Sequence, residues 1–257
     1  MLHFFSSVIL GAVEGLTEFL PISSTAHLIL AGDLMHIAQS DFQKSFEIII
    51  QLGAILSVVA LYWRKIFTWE MIKKLVVAFI PTGIIGLAMY KILKTYLLGN
   101  TAVILWSILI GGVVLILFER AQAKNQTEHE VNFNEITYKK AFAIGFFQAI
   151  AIIPGVSRSA ATIIGGMAMG IKRKTIVEFS FLLAVPTMLA ASGLDLLKSY
   201  KTIESGSVGL LLVGFIVSFI TAMFSIKFFI GYIKKHDFRA FGWYRIVLAV
   251  VFWFILK

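Results

Sequence analysis

Six stretches of this chain are apolar for long enough to cross a lipid bilayer, and two more are cut short by proline. The six cover approximately residues 46–63, 75–93, 101–118, 176–197, 207–230 and 240–256. A helix needs about 20 apolar residues, with a range of roughly 17–25, to span the hydrocarbon core. Backbone N–H and C=O groups in lipid must be paired within the protein, so such stretches fold as α-helices. Composition agrees, because 59% of residues are hydrophobic and 14% charged, where soluble domains carry about 25% charged residues. No hydrophilic stretch is long enough for a separate soluble domain. The expected fold is an all-α polytopic membrane protein, a single integral membrane domain over 1–257. The N-terminus, MLHFFSSVIL, has neither a basic n-region nor a convincing cleavage site, and is expected to belong to the fold. Cysteine is absent, which excludes disulfides, thiolate metal sites and cysteine nucleophiles.

The interrupted segments carry the most information. Residues 141–153 end at Pro154, and 159–170 follow Gly155 and Arg158. At about 1.5 Å per residue each arm reaches only about halfway across. Residues 4–20, Pro21 and 24–35 repeat that layout. Both are expected to be re-entrant helix–break–helix hairpins, which are tolerated where protein or a wet cavity covers the broken backbone. They read as copies: Gly11 and Glu14 precede Pro21 and its serines as Gly145 and Gln148 precede Pro154 and its serines. Downstream, FEIIIQLG and EFSFLLA place Glu47 and Glu178 at similar intervals from the two prolines. Weak internal symmetry with broken helices at matching positions points to a site between repeats. The expectation is about six transmembrane helices plus two re-entrant hairpins in an inverted-topology repeat. Repeat 1 covers about 1–118 and repeat 2 about 138–257, with a polar loop at 119–137.

The formal net charge of +9 would point to nucleic acid in a soluble protein. Here the basic residues gather at the ends of apolar runs and read as positive-inside topology facing anionic lipid headgroups, with no nucleic-acid partner. With the N-terminus outside and each hairpin returning to its own side, inner segments hold Arg64, Lys65, Lys73, Lys74, Arg120, Lys124, Lys139, Lys140 and the 172–174 run, among others. Outer segments hold only Lys44, Lys91, Lys94, Lys198, Lys201 and Lys257. Both termini are therefore expected outside, with the two breaks meeting near mid-membrane.

The first break lies in EGLTEFLPISSTAH, residues 14–27. An ionisable group near the bilayer centre costs roughly 2.5–3.5 kcal/mol on insertion scales and marks a functional position. Glu14 and Glu18 are four apart and share a helix face, where unpaired carboxylates repel. A divalent cation removes that repulsion, and hard oxygen ligands suit Mg²⁺ or Ca²⁺; the competing role is to bond backbone freed at Pro21. Ser23 is placed to cap the helix after Pro21, whose free N–H groups favour an anion. Ser24 and His27 fall on one face of that helix, and a hydroxyl beside an imidazole is the minimum for base-activated attack. His3, His36, His129 and His236 lie at ends or in loops and read as incidental. In the second break, PGVSRSAAT, Gly155 permits close backbone approach, Ser157 or Ser159 can cap, and Arg158 matches phosphate oxygens with its fork. The alternative for Arg158 is an internal ion pair with Glu14, Glu18 or Glu178, and the two coexist in the absence of substrate. Gln148 and Gln51 are candidate polar lining. Carboxylates for a cation, an arginine and two helix N-termini for an anion, and Ser–His for attack suit in-line displacement at phosphorus. Access through the membrane points to a substrate with a lipid tail.

On EGLTEFLPISSTAH, FEIIIQLG, PGVSRSAAT and EFSFLLAVPTML, the chain resembles the bacterial undecaprenyl-diphosphate phosphatase family of the bacitracin-resistance type, over essentially its whole length. The resemblance implies hydrolysis of the C55 isoprenoid diphosphate to its monophosphate, which recycles the lipid carrier for peptidoglycan synthesis and confers bacitracin resistance. It also implies a multi-pass protein of the bacterial inner membrane, dependent on Mg²⁺ or Ca²⁺, with its site open to the periplasmic or outer face. Membrane lipids and a homodimer are among the expected partners. By motif position Glu14 and Glu18 match the metal-binding pair, Ser24 the proposed nucleophile, His27 its proposed base and Arg158 the phosphate-binding arginine. Ser23, Thr25, Ser157, Ser159 and Thr162 match the polar lining. Ala26 and Ala160 stand where the family usually has glycine, which puts close backbone–substrate contact in question there. The reading from another class is a transporter or flippase for a phosphorylated lipid or other anion, which needs anion ligands but no nucleophile. An acid-phosphatase-type lipid phosphatase would need a second site histidine, and none follows the Ser-Arg-Ser motif.

Overall fold

Helices account for nearly all the regular structure in a computed structural model that describes residues 2–37, 40–97, 100–122, 131–199 and 208–255. In order they are α1 (Phe4–Thr17), α2 (Ser24–Leu34), α3 (Asp41–Ile66), α4 (Trp69–Ile92), α5 (Thr101–Gln122), α6 (Tyr138–Ile150), α7 (Arg158–Ala168), α8 (Arg173–Ser199), α9 (Val208–Tyr232) and α10 (Arg239–Ile255). Among the described residues five helices, α3, α4, α5, α8 and α9, are long and apolar enough to cross a membrane. The remaining expected span, 240–256, is α10, 17 residues long, at the short end of the spanning range. Residues 123–130 of the expected polar loop lie outside the described residues, as do Lys124, His129, Lys201 and Lys257.

The four short helices come where proline interrupts apolar sequence. Helix α1 has 14 residues and α6 has 13; α2 and α7 have 11 each. At about 1.5 Å per residue all four fall short of a core about 30 Å thick. Helix α1 stops at Thr17, earlier than the first arm expected to residue 20, with Glu18 as its C-cap. The two helices of each short pair are in contact, α1 with α2 and α6 with α7. Helix α1 also runs along α9, as α6 runs along α4, while α3 packs on α8 and α5 on α10. Tight approach makes the first two pairings possible. A Cβ on Gly11 would sit 2.6 Å from the Gly214 carbonyl oxygen, and one on Gly145 2.1 Å from that of Ala78. Small residues let helix backbones close on one another in this way.

One edge of the bundle is tied by charge. Arg173 Nη2 donates to both oxygens of Glu119 at 2.9 and 2.7 Å, and Glu119 also accepts the Phe238 N–H at 3.1 Å. Lys65 pairs with Glu178 at 2.7 Å. Lys74 Nζ donates to the Phe133 carbonyl at 3.0 Å. These contacts tie the ends of α3 and α5 and the α9–α10 turn to the start of α8, and α4 to the segment before α6.

Candidate active site

Both breaks turn on a serine in a conformation that serine seldom adopts. Ser23 has φ +73° and Ser157 φ +79°, and each is the N-cap of the helix that follows. Such left-handed positions cost of order 1–3 kcal/mol and persist only where the surroundings hold them. Ser157 Oγ accepts the Ala160 N–H at 3.2 Å, whereas Ser23 makes no side-chain cap bond. Gly155, at φ +94°, packs so closely that a Cβ would meet the Ile104 carbonyl oxygen at 2.7 Å and Ser107 at 2.8 Å.

Arg245, in the middle of α10, holds both breaks. It is fully buried and donates every N–H to a carbonyl. Nε reaches Ile108 at 3.2 Å, Nη1 reaches Pro21 at 3.1 Å and Val156 at 3.0 Å, and Nη2 reaches Ser107 at 3.0 Å and Gly155 at 2.9 Å. No carboxylate among the described residues pairs with it. The motifs of the breaks give no hint of this residue; its signal is a lone arginine in an otherwise apolar span, costly at that depth unless something needs it.

Between the breaks lies a cavity of about 190 Å³. Glu18, Ser24 and Arg158 converge on it. Ser24 Oγ donates to Glu18 Oε2 in a short hydrogen bond, and Arg158 Nη2 donates to Glu18 Oε1 at 3.0 Å. Arg158 Nη1 donates to the carbonyl and hydroxyl of Ser180 at 2.6 and 3.2 Å, and Nε has no hydrogen-bond partner. Charge-assisted bonds from one guanidinium to three acceptors fix its plane. Ser23, Thr25, Gly155 and Ser157 also line this end. The opposite end is neutral and polar, with Gln51, Thr82, Gln148 and Thr187. There Gln148 Nε2 donates to Thr82 at 2.9 Å and Thr187 at 3.1 Å. Ile152, Met188 and Ala191 make an apolar side.

Other expected site residues lie elsewhere. His27 is not joined to Ser24: its Nδ1 bonds the Ser23 carbonyl at 2.7 Å and its Nε2 bonds the Tyr244 hydroxyl at 2.8 Å. The i, i+3 spacing put Ser24 and His27 on one face, but the carbonyl one turn back and the ring of α10 compete successfully for the imidazole. Ser159 and Thr162 support rather than line the cavity. Ser159 Oγ donates to the Phe19 carbonyl at 2.9 Å, and Thr162 Oγ1 bonds Ser180 Oγ at 2.7 Å behind Arg158. Glu178 is committed to Lys65. Ala26 and Ala160 are buried in the core and outside the cavity wall, so their methyl groups meet protein. Glu14 is fully buried beside the cavity wall, and neither of its oxygens has a hydrogen-bond partner. Glu18, Glu47 and Arg158 lie within electrostatic reach of it. A buried ionised carboxylate needs a cation or a proton, so Glu14 fits a cation ligand. Glu18 has both oxygens engaged, and no cluster of three His, Asp or Glu side chains suited to a metal occurs among the described residues.

Residues 7–251 match the protein family described as bacitracin resistance protein BacA. The chain is 51% identical over 256 residues to an undecaprenyl-diphosphatase of Bdellovibrio bacteriovorus, covering 99% of this chain and 97% of that protein. It is 50% identical to one from Aquifex aeolicus, covering 96% of each. It is 48% identical to one from Campylobacter jejuni, covering 97% of this chain and 93% of that protein.

Proposed function

Because the chain belongs to the bacitracin resistance protein BacA family, we infer that its cavity hydrolyses the diphosphate head of a membrane-held polyprenyl substrate, with Ser24 as nucleophile. The enzyme is an undecaprenyl-diphosphatase: water and undecaprenyl diphosphate give the monophosphate and inorganic phosphate. The product is the lipid carrier of peptidoglycan synthesis, and bacitracin resistance goes with the family.

The observation that carries the residue roles is the pair of bonds on Glu18, one from Ser24 and one from Arg158. Glu18 accepts the hydrogen bond from Ser24, so it takes that proton as the base when Ser24 Oγ bonds to the terminal phosphorus. The bridging P–O bond breaks and the lipid monophosphate leaves. Water then attacks the phosphoserine, releasing phosphate and restoring Ser24. Arg158 binds the phosphoryl oxygens, using its unbonded Nε and the Nη2 now on Glu18. The free N–H groups at the start of α2 and α7 face the same charge. Ser23, Thr25, Gly155 and Ser157 line this end, with Gln148 at the other. Ser159 and Thr162 keep Phe19 and Arg158 in register. Glu14 and Glu18 would hold Mg²⁺ or Ca²⁺, which supplies positive charge to the phosphoryl oxygens as the bridge breaks.

The matching lengths of α1 and α6, of α2 and α7, and the exchange of packing partners support two inverted repeats with re-entrant hairpins. Arg64, Lys65, Lys73, Lys74 and the 172–174 run mark the charge-tied edge as cytoplasmic. The cavity residues Thr187, Met188 and Ala191 lie on the half of α8 away from that edge, so the site opens to the outer face of the bacterial inner membrane. Lipid covers the exposed apolar belt, and a homodimer is the assembly to test by mass in detergent.

The direct test measures phosphate release from undecaprenyl diphosphate by purified protein beside Ser24→Ala. The wild type is expected to release phosphate, and Ser24→Ala to fold but release none. Undiminished release by Ser24→Ala would transfer the attack to water. No release by folded wild type from any lipid diphosphate would overturn the enzyme reading.

A further inference from the structure

His27 has no bond to the nucleophile, yet both of its nitrogens are engaged. A carbonyl only accepts, so Nδ1 carries the proton donated to Ser23 at 2.7 Å. In the neutral ring Nε2 is then an acceptor, and the Tyr244 hydroxyl donates to it at 2.8 Å. The two ring centroids are 5.6 Å apart and the rings within 5° of parallel, so they lie side by side across this bond. Tyr244 thus fixes both the position and the plane of the imidazole through its hydroxyl.

The carbonyl at the end of this chain is no ordinary one. It belongs to Ser23, held at φ +73°, and shares a peptide plane with the Ser24 N–H. In a trans peptide the two bonds point in opposite directions. The Ser23 carbonyl points into α2, where it also accepts the His27 backbone N–H at 3.2 Å. The Ser24 N–H therefore points out of the helix N-terminus, where Ser23, Ser24 and Thr25 line the cavity. Arg245, next to Tyr244 in sequence, holds the Pro21 carbonyl of the same break at 3.1 Å.

We propose that Tyr244 is a positioning residue for the reaction, acting through His27 on the Ser23–Ser24 peptide so that the Ser24 N–H faces the transferring phosphoryl group. His27 on this account carries no proton in the reaction. The inference rests on the hydrolase reading above and assigns α10 a part in it.

Asparagine and glutamine at position 27 separate the roles. Asparagine keeps an N–H donor where Nδ1 lies but cannot act as a base; glutamine places its amide where Nε2 lies and loses the Ser23 contact. Kinetic constants for phosphate release from undecaprenyl diphosphate are measured for wild type, His27→Asn, His27→Gln and Tyr244→Phe, with Tm as a check on folding. His27→Asn is expected to keep kcat within about threefold, while His27→Gln loses about 10- to 100-fold, the range for a small misplacement near the reacting atoms. Tyr244→Phe is expected to lower kcat about three- to tenfold with KM little changed, smaller than the direct loss because the Nδ1 bond to Ser23 remains. In the His27→Asn background Tyr244→Phe should have no further effect. Equal losses of about 10²–10⁴ in both His27 variants would make His27 the base and overturn the proposal. So would a Tyr244→Phe effect of the same size in both backgrounds, or one confined to KM or Tm. If His27→Asn does not fold, the kcat–KM split of Tyr244→Phe decides alone. Inactive folded wild type removes the hydrolase reading itself and this proposal with it.

Discussion

Replacing Arg245 removes the one side chain that bonds both breaks at once. Lysine keeps the charge but has three donors on a single nitrogen, so at least two of the five carbonyls of Ser107, Ile108, Pro21, Gly155 and Val156 lose their partner. Each buried acceptor left unpaired costs about 1–3 kcal/mol, so two amount to about 2–6 kcal/mol. Interhelical hydrogen bonds in membranes average nearer about 0.6 kcal/mol each, which sets a floor of about 1 kcal/mol. A chain of this size loses about 2–4 °C in Tm per kcal/mol, so Arg245→Lys is expected to melt about 2–24 °C lower. Arg245→Met strands all five carbonyls and should lose still more, together with activity. Melting followed by tryptophan fluorescence in detergent and phosphate release on the same samples measure both effects. Arg245→Met protein that melts and turns over like wild type would refute the reasoning. A normal Tm with lost activity would instead make Arg245 an electrostatic element of the site.

Three further outcomes are expected. Arg158→Lys cannot reach Glu18, Ser180 and substrate together, and kcat/KM should fall about 10²–10³-fold, as on removing a transition-state donor; steady-state kinetics check this. A chelator should abolish phosphate release and Mg²⁺ or Ca²⁺ restore it, and Glu14→Gln should raise the metal concentration needed, read from a metal titration. Gly145→Ala places a Cβ 2.1 Å from the Ala78 carbonyl oxygen and should cost about 1–3 kcal/mol by overpacking. Gly231→Ala meets nothing within 4 Å and serves as its control in the same melting experiment.

The parts of the molecule legible in the sequence are those that local composition decides. Pro21 and Pro154 end apolar runs with serines behind them and mark breaks, whereas Pro81 and Pro186 lie inside α4 and α8; apolar length decides what spans, so the helix order is readable. Glu18, Ser24 and Arg158 are visible as polar groups too costly to bury without purpose. Partner choice is harder to read. The spacing that puts Ser24 near His27 says nothing of Tyr244, more than two hundred residues away in sequence, nor of the Ser23 carbonyl that lies closer. Glu14 and Glu18 keep the helical spacing, since Glu18 stays helical and its N–H bonds the Glu14 carbonyl at 2.9 Å, but spacing does not tell that Glu18 bonds Ser24 and Arg158 while Glu14 has no hydrogen-bond partner. Arg245 escaped the motif-based reading because its partners are carbonyls, which every residue has.

The dependence of both breaks on α10 also says when this protein becomes an enzyme during its synthesis. Glu18 and Ser24 enter the membrane early, and Arg158 arrives only after the first half of the chain is made. The guanidinium that gathers their loops is carried by α10, which is made later still. Until that helix docks, two glutamates and two broken helices wait in the bilayer without their clamp. A truncated chain therefore offers no partial hydrolase: quality control and catalytic competence turn on the same late step.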